Sequence, residues 1–447
     1  MSTRTEYPIT KHPATKTAGK QSPNNTEVPI SNELVIARSP VSHERDGATW
    51  QSRSSSLPLV QTKFAQLCIS TQPLYLERGA IPSIEDRRDG VSSSAREVTS
   101  NGLILDCGVT LRNLTVAYET YGALNAEGTN AILICHALTG SAHAAGYNSP
   151  EDKTPGWWDG LIGPGKAFDT EKYFVVSSNI LGSCYGTTGP TSINPETGEP
   201  YRNTFPQITV RDIVRVQKLL LDRLGVKRLV TICGSSLGGM QVLEWPLLFP
   251  EFVETIIPIS TAARQPAGCI ALNTAARAAI TNDPEWRNGS YNHQPANGLS
   301  LARTIGMISY RSFEEFEQRF GRTRQDAEGS RYDSENHFEI ERYLQHQGEK
   351  LVERFDANTY LLLSRATDLH DVTYDRGELS DVLRSIKAKT LCIGVSSDAR
   401  YPVREQKEIV RHIPNARYAE VQSIHGHDAF LIEYDQLTAI IRSFLTT

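Results

Sequence analysis

Gly234-Ser235-Ser236-Leu237-Gly238-Gly239-Met240 decides how this chain is read. A short β-branched run, Leu229 to Cys233, leads into it, and a helix-forming run, Gln241 to Leu248, leads out. A serine flanked at two residues by glycines, on a turn from strand to helix, is a nucleophile elbow. The glycines are expected because such a turn is strained and because side chains there would block an approaching substrate. The helix that starts after Ser236 points its free N–H groups at the serine oxygen and can steady a developing anion. The stretch therefore points to acyl transfer through a serine ester.

At 447 residues the chain can bury a large core, and one to three domains are expected. Its net charge is -5 and its pI about 6.2. No Lys/Arg block of the kind that tracks phosphates occurs, which argues against a nucleic-acid partner. No apolar run is long enough to predict a transmembrane helix. Residues 1–16 lack the apolar stretch of a secretory signal; their Ser, Thr and Lys content leaves a transit peptide open, without an evident Arg-rich amphipathic helix. The seven cysteines are scattered, with no C-x-x-C pair, which is the usage of a reducing cytoplasm rather than of a disulfide framework or zinc site.

Residues 1–95 are polar and rich in Ser, Thr, Pro and Arg, and pieces such as Phe64 to Cys68 show no sustained period; a disordered extension is expected. The texture changes near residue 96. Gly102–Asp106 and Leu114–Gly122 alternate and read as early antiparallel strands. Buried-type strand runs follow at Ala131–Cys135, Tyr173–Ser177, Leu229–Cys233 and Thr255–Ile259, with an amphipathic helix over Ile208–Leu224 closed by Gly225. Two further strands are expected at Thr390–Val395 and Tyr418–Val421, and a last helix from Phe430 to Phe444. Strands alternating with helices predict an α/β architecture: a mostly parallel sheet with helices on both faces. Residues 264–377 break the rhythm with apolar residues at helical spacing only, and predict a helical lid inserted between core segments 96–263 and 378–447.

A nucleophilic serine needs a base, and the base an orienter. In α/β-hydrolase folds these follow in the order Ser, acid, His. Asp398 and His427 each stand just after a predicted strand, where open α/β sheets gather their functional groups. His425 competes with His427, which is preferred because Gly426–Leu431 opens into the predicted last helix. The oxyanion donors are expected to be the N–H of Leu237 and one from the loop after Cys135, at Leu138 or Thr139. His136 and His143 in that loop have no acidic or cysteine partner at ligand spacing, and no metal site is expected.

The blocks Cys135-His136-Ala-Leu-Thr-Gly-Ser-Ala-His143, Pro155-Gly-Trp-Trp-Asp159, Ile162–Asp169, Tyr185–Pro190, Ser236–Trp245, Arg354–Tyr360 and Gly426–Leu431 resemble the homoserine O-acetyltransferase family, in order, over residues 100–445. The resemblance implies an α/β-hydrolase core with a helical lid, usually dimeric. It implies transfer of an acyl group from acyl-CoA to the hydroxyl of L-homoserine in methionine biosynthesis, with acetyl-CoA as cosubstrate and no bound cofactor. Carried over by motif, Ser236 is the nucleophile, Asp398 and His427 complete the triad, and Arg303 and Asp428 hold the amino acid's carboxylate and ammonium. Three departures stand out: Ser235 and Leu237 replace the usual Gly and Met, Ala399-Arg400-Tyr401 follow Asp398 in place of Trp and apolar residues, and the N-terminal extension is long. The first two lie beside the triad and leave serine as acceptor, or a succinyl donor, as alternatives; His136–Gly140 with Leu243-Glu244-Trp245 favours homoserine. An esterase or thioesterase is the rival among enzymes. An inactive hydrolase-fold binding protein is the rival outside them, although all three triad members are kept.

Overall fold

The apolar runs of the sequence form the middle of a large sheet in the computed structural model, which describes residues 60–67, 98–99 and 102–446. The strands are β1 (Lys63–Leu67), β2 (Val98–Thr99), β3 (Gly102–Ile104), β4 (Thr110–Leu111), β5 (Leu114–Tyr121), β6 (Ala131–Cys135), β7 (Phe174–Ser178), β8 (Leu229–Ser235), β9 (Val253–Ile259), β10 (Lys389–Val395) and β11 (Ala416–Val421). Among the described residues eight of them join in the order β1-β5-β7-β6-β8-β9-β10-β11, and β2-β3-β4 form a small antiparallel sheet apart. The pairings from β7 through β11 are parallel; β1 and β5 extend the edge antiparallel. The predicted strand at Gly102 thus belongs to the small sheet, while Leu114–Tyr121 joins the large one.

Strand β6 shows why its run is apolar throughout. Ala131, Leu133 and Cys135 enter one core cluster, and Ile132 and Ile134 the other, so both faces are covered. The first cluster packs on α1 (Val210–Arg223) and α2 (Leu237–Leu248), the second on α10 (Tyr434–Leu445). Burying each such Ile or Leu contributes about 2 kcal/mol. Helix α1 opens on a capping box between Thr209 and Asp212 and stops at Gly225, whose φ is +82°.

Between β9 and β10 lie α3 (Ala267–Thr281), α4 (Ala296–Tyr310), α5 (Phe313–Arg319), α6 (Glu339–Val352), α7 (Ala357–Asp368) and α8 (Leu379–Arg384); α9 (Val403–His412) sits between β10 and β11. No helix among the described residues is long and apolar enough to cross a membrane.

Two local expectations are corrected. Residues 63–67 are strand β1, paired with β5, and Ala65 and Leu67 enter the core at 5% exposure each. Its alternation spans one short strand, too few turns of the pattern to stand out from a polar segment. Residues 1–59 and 68–95 of the predicted extension lie outside the described residues. At the other end, Gly426–Leu431 is a 3-10 turn, and α10 starts only at Tyr434.

Candidate active site

Strand β8 delivers Ser236 to the turn before α2. Its backbone has φ 57° and ψ -123°, a region that costs a side-chain-bearing residue about 1–3 kcal/mol. The strain is held by neighbours: Ser236 N–H donates to the Ile259 carbonyl at 3.0 Å, and the Thr261 hydroxyl donates to the Ser236 carbonyl at 2.9 Å. The glycines of the motif have a different task from the one expected. A Cβ on Gly238 would lie 2.1 Å from the Cys135 carbonyl oxygen, and one on Gly239 2.6 Å from Thr261 Cβ. They let α2 close onto β6 and β9 rather than clearing a path for substrate, and the strained φ falls on the serine itself.

Strands β10 and β11 deliver the other two groups. His427 Nδ1 donates to Asp398 Oδ2 at 2.7 Å, with both side chains buried. Asp398 Oδ1 accepts from the backbone N–H groups of Arg400 at 2.8 Å and Tyr401 at 2.9 Å. Three donors thus fix the carboxylate, and its bond to Nδ1–H leaves His427 Nε2 as the basic nitrogen. The imidazole is clamped between Tyr401, 5.3 Å between ring centres, and Phe430, 5.5 Å edge-on. The competitor His425 faces Glu315 at 3.4 Å instead. The unusual Ala399-Arg400-Tyr401 therefore supports the acid through its backbone. The side chains are anchored separately: Arg400 donates to Ser309 Oγ and Asn273 Oδ1, and the Tyr401 hydroxyl to Gln265.

Ser236, His427, Leu237, Leu138, Thr139, Arg303 and Asp428 all line one cavity of about 570 Å³. Leu237 is the first residue of α2, so its N–H has no partner within the helix. The loop bearing Leu138 is braced from both ends. His136 Nδ1–H donates to the Ala137 carbonyl at 2.8 Å, and Ile180 N–H donates to His136 Nε2 at 3.1 Å; burial holds this ring neutral, with its pKa down to about 4. Arg354, between α6 and α7, donates to the Thr139 carbonyl at 2.8 Å and to the Tyr185 hydroxyl at 2.6 Å. With both nitrogens of His136 engaged by backbone, that ring has none left for a metal. No group of three or more His, Cys, Asp and Glu among the described residues could hold one.

Residues 130–434 match the family model of the alpha/beta hydrolase fold. The chain is 54% identical over 352 residues to the homoserine O-acetyltransferase of Moorella thermoacetica, covering 77% of this chain and 94% of that protein. It is 50% identical over 357 residues to that of Carboxydothermus hydrogenoformans, covering 78% and 94%. The chain belongs to the homoserine O-acetyltransferase family. Among solved structures, homoserine O-acetyltransferase from Bacillus anthracis superposes with a TM-score of 0.73 at 32% identity, over 77% of this chain and 95% of that one. Esterase E22 superposes almost as well, with a TM-score of 0.71 at 33% identity over 77% and 97%. Membership makes the protein an acyltransferase of α/β-hydrolase fold.

In this family member the charged wall of the cavity is built from α4, its C-cap Arg311 and the turn Gly426–Leu431. Arg303 on α4 lies over the Tyr310 ring at 5.5 Å. Asp428 pairs with Arg311 Nε at 3.2 Å, and Arg311 also donates to Glu315 at 3.0 Å. Burial pushes the Asp428 carboxyl above its usual range, while Arg311, Arg303 and His427 pull it back. Gly426 makes this junction possible: its φ is +64°, and a Cβ there would lie 2.7 Å from Ser312 N. The sequence reading named Arg303 and Asp428 but missed Arg311. It also missed Glu119, the buried acid that meets His143 Nδ1 at 3.0 Å from across the sheet. Nothing in the local spacing of either residue announces its partner.

Proposed function

We propose that the protein transfers an acetyl group from acetyl-CoA to the hydroxyl of L-homoserine by a ping-pong route, serving methionine biosynthesis. The observation that carries this reading is the buried 2.7 Å His427–Asp398 bond, with His427 and the strained Ser236 lining one cavity. His427 Nε2 takes the proton as Ser236 Oγ attacks the thioester carbonyl. The N–H groups of Leu237 and of Leu138 or Thr139 steady the oxyanion. The thiolate leaves with that proton, and an acetyl-serine remains. His427 then takes the proton of the homoserine hydroxyl as its oxygen attacks the ester, and returns it to Ser236 Oγ. Arg303 holds the substrate carboxylate and Asp428 its ammonium. Helices α3–α7 act as the lid that keeps water from the acetyl-serine.

The likeness to esterase E22 favours a second reading, in which water is the acceptor. The Arg303–Arg311–Asp428 wall argues for a zwitterionic acceptor over water. The reading also has the enzyme working in the cytoplasm as a pair of copies. Cys135, Cys233, Cys269 and Cys392 are buried and free, and Leu301, Ile308 and Phe313 leave apolar surface exposed on the insertion. Initial rates at crossed acetyl-CoA and acceptor concentrations test the function. Parallel double-reciprocal lines with homoserine, and far slower turnover with serine or water, are expected. Intersecting lines, or CoA release that ignores homoserine, would sink it.

A further inference from the structure

The cavity carries a second polar device, built from the antiparallel edge of the sheet. Glu119 on β5 is fully buried, and three donors converge on its carboxylate: Thr62 Oγ1 at 2.6 Å, the Tyr121 hydroxyl at 2.7 Å and His143 Nδ1 at 3.0 Å. The Tyr121 hydroxyl accepts in turn from the N–H groups of Ala144 and Ala145, each at 3.0 Å. The imidazole is therefore held by one nitrogen, and the loop that carries it by two more bonds. His143 lines the cavity, and its Nε2 is buried without a hydrogen-bond partner among the described residues. A buried polar nitrogen left unpaired costs about 1–3 kcal/mol, which a polar ligand group can recover.

The surrounding charges say what kind of group. The bond to Glu119 raises the His143 ring above an ordinary histidine, more than burial lowers it. Burial opposes the Glu119 charge, yet its three donors keep that carboxyl below its usual range. The other charged groups that act on His143 are Asp152 and Asp159. Three acids acting on one imidazole repel a phosphate or carboxylate, and favour a neutral polar group such as an amide. The charged groups that act on Asp428 are a different set: Arg311, Arg303, His427 and Glu315.

We propose that His143 Nε2 hydrogen-bonds an amide group of the pantetheine arm of the acyl-CoA, with Glu119 and Thr62 orienting the ring. The proposal rests on the acyl-CoA reading above, and makes Thr62, just before β1, a positioning residue of the donor site.

The test compares acetyl-CoA with p-nitrophenyl acetate, which has no pantetheine arm, on the full chain. His143→Asn keeps a donor for Glu119 and loses the far nitrogen. It should lower kcat/KM for acetyl-CoA about tenfold more than kcat/KM for p-nitrophenyl acetate, mostly through KM. His143→Gln, which restores a far polar group, should recover part of that selectivity, and Thr62→Val should shift it the same way by less. Equal losses on both esters, or no loss on acetyl-CoA, would overturn the proposal. A wild-type protein that transfers from p-nitrophenyl acetate but from no acyl-CoA would instead overturn the underlying function, and the proposal with it.

Discussion

On the sheet side of the cavity, Asp398 is fixed by two backbone N–H groups and one imidazole, and Ser236 by the turn from β8 into α2. On the helical side, Asp428 and Arg303 answer to other side chains, Arg311 and Tyr310. The difference separates two kinds of site. A group held by backbone has its geometry set by the fold, and survives in any relative that keeps the sheet. A group held by side chains can be changed by one or two substitutions without disturbing the fold. Relatives named as a transferase and as an esterase share this architecture at 32% and 33% identity, which is what a constant sheet side and a variable helical side would give.

Breaking the sheet side should cost the most. Ser236→Ala and His427→Ala are each expected to lower kcat by roughly four to six powers of ten, since nucleophile and base act as a unit. Asp398→Asn should cost about ten-thousand-fold with an unchanged melting temperature, because the two backbone donors still seat the side chain. An Asp398→Asn variant near wild-type turnover would move the orienter role elsewhere.

The helical side should fail differently. Arg303→Ala is expected to lose about 2–4 kcal/mol in kcat/KM for homoserine, with little change in the rate of acetyl-enzyme formation. Arg311→Ala leaves both Asp428 and Glu315 without their cation and should lose about 1–2 kcal/mol in the same constant. Combined, the two losses should not add, because both arginines act on Asp428. Additive losses, or a loss in acetylation instead, would merge the two walls into one.

Stability should follow pH through the loop that joins the walls. His136 is neutral in the fold down to about pH 4, whereas an unfolded histidine takes its proton near 6.5. The unfolded chain therefore binds the extra proton as pH falls between these values. The contribution is complete above about 6.5 and is lost on the way to 4, by at most about 3 kcal/mol. Denaturant melts of wild type and His136→Gln across that window check it: the variant's curve should be flatter.

The parallel core was legible because strands buried on both faces are continuous apolar runs, as at Ala131–Cys135 and Leu229–Cys233. Ser236 was legible because it follows such a run, and Asp398 and His427 because each stands in the loop after a predicted strand. Arg311 and Glu119 were not, because their partners arrive from distant elements and leave no periodic mark. Strand β1 escaped because only Ala65 and Leu67 of its residues are buried. Leu67→Ala should cost about 2 kcal/mol of stability. A neutral result would return that segment to the surface.

The central claim is an acetyl group carried by Ser236. Intact-protein mass spectrometry after mixing with acetyl-CoA, followed by homoserine, reads it directly. The expected result is the added mass of one acetyl group on the wild type, mapped to the Ser236 peptide, absent in Ser236→Ala, and discharged faster by homoserine than by serine or water. Homoserine acetylation at full rate by Ser236→Ala, or an acetyl group that homoserine does not discharge, would contradict it.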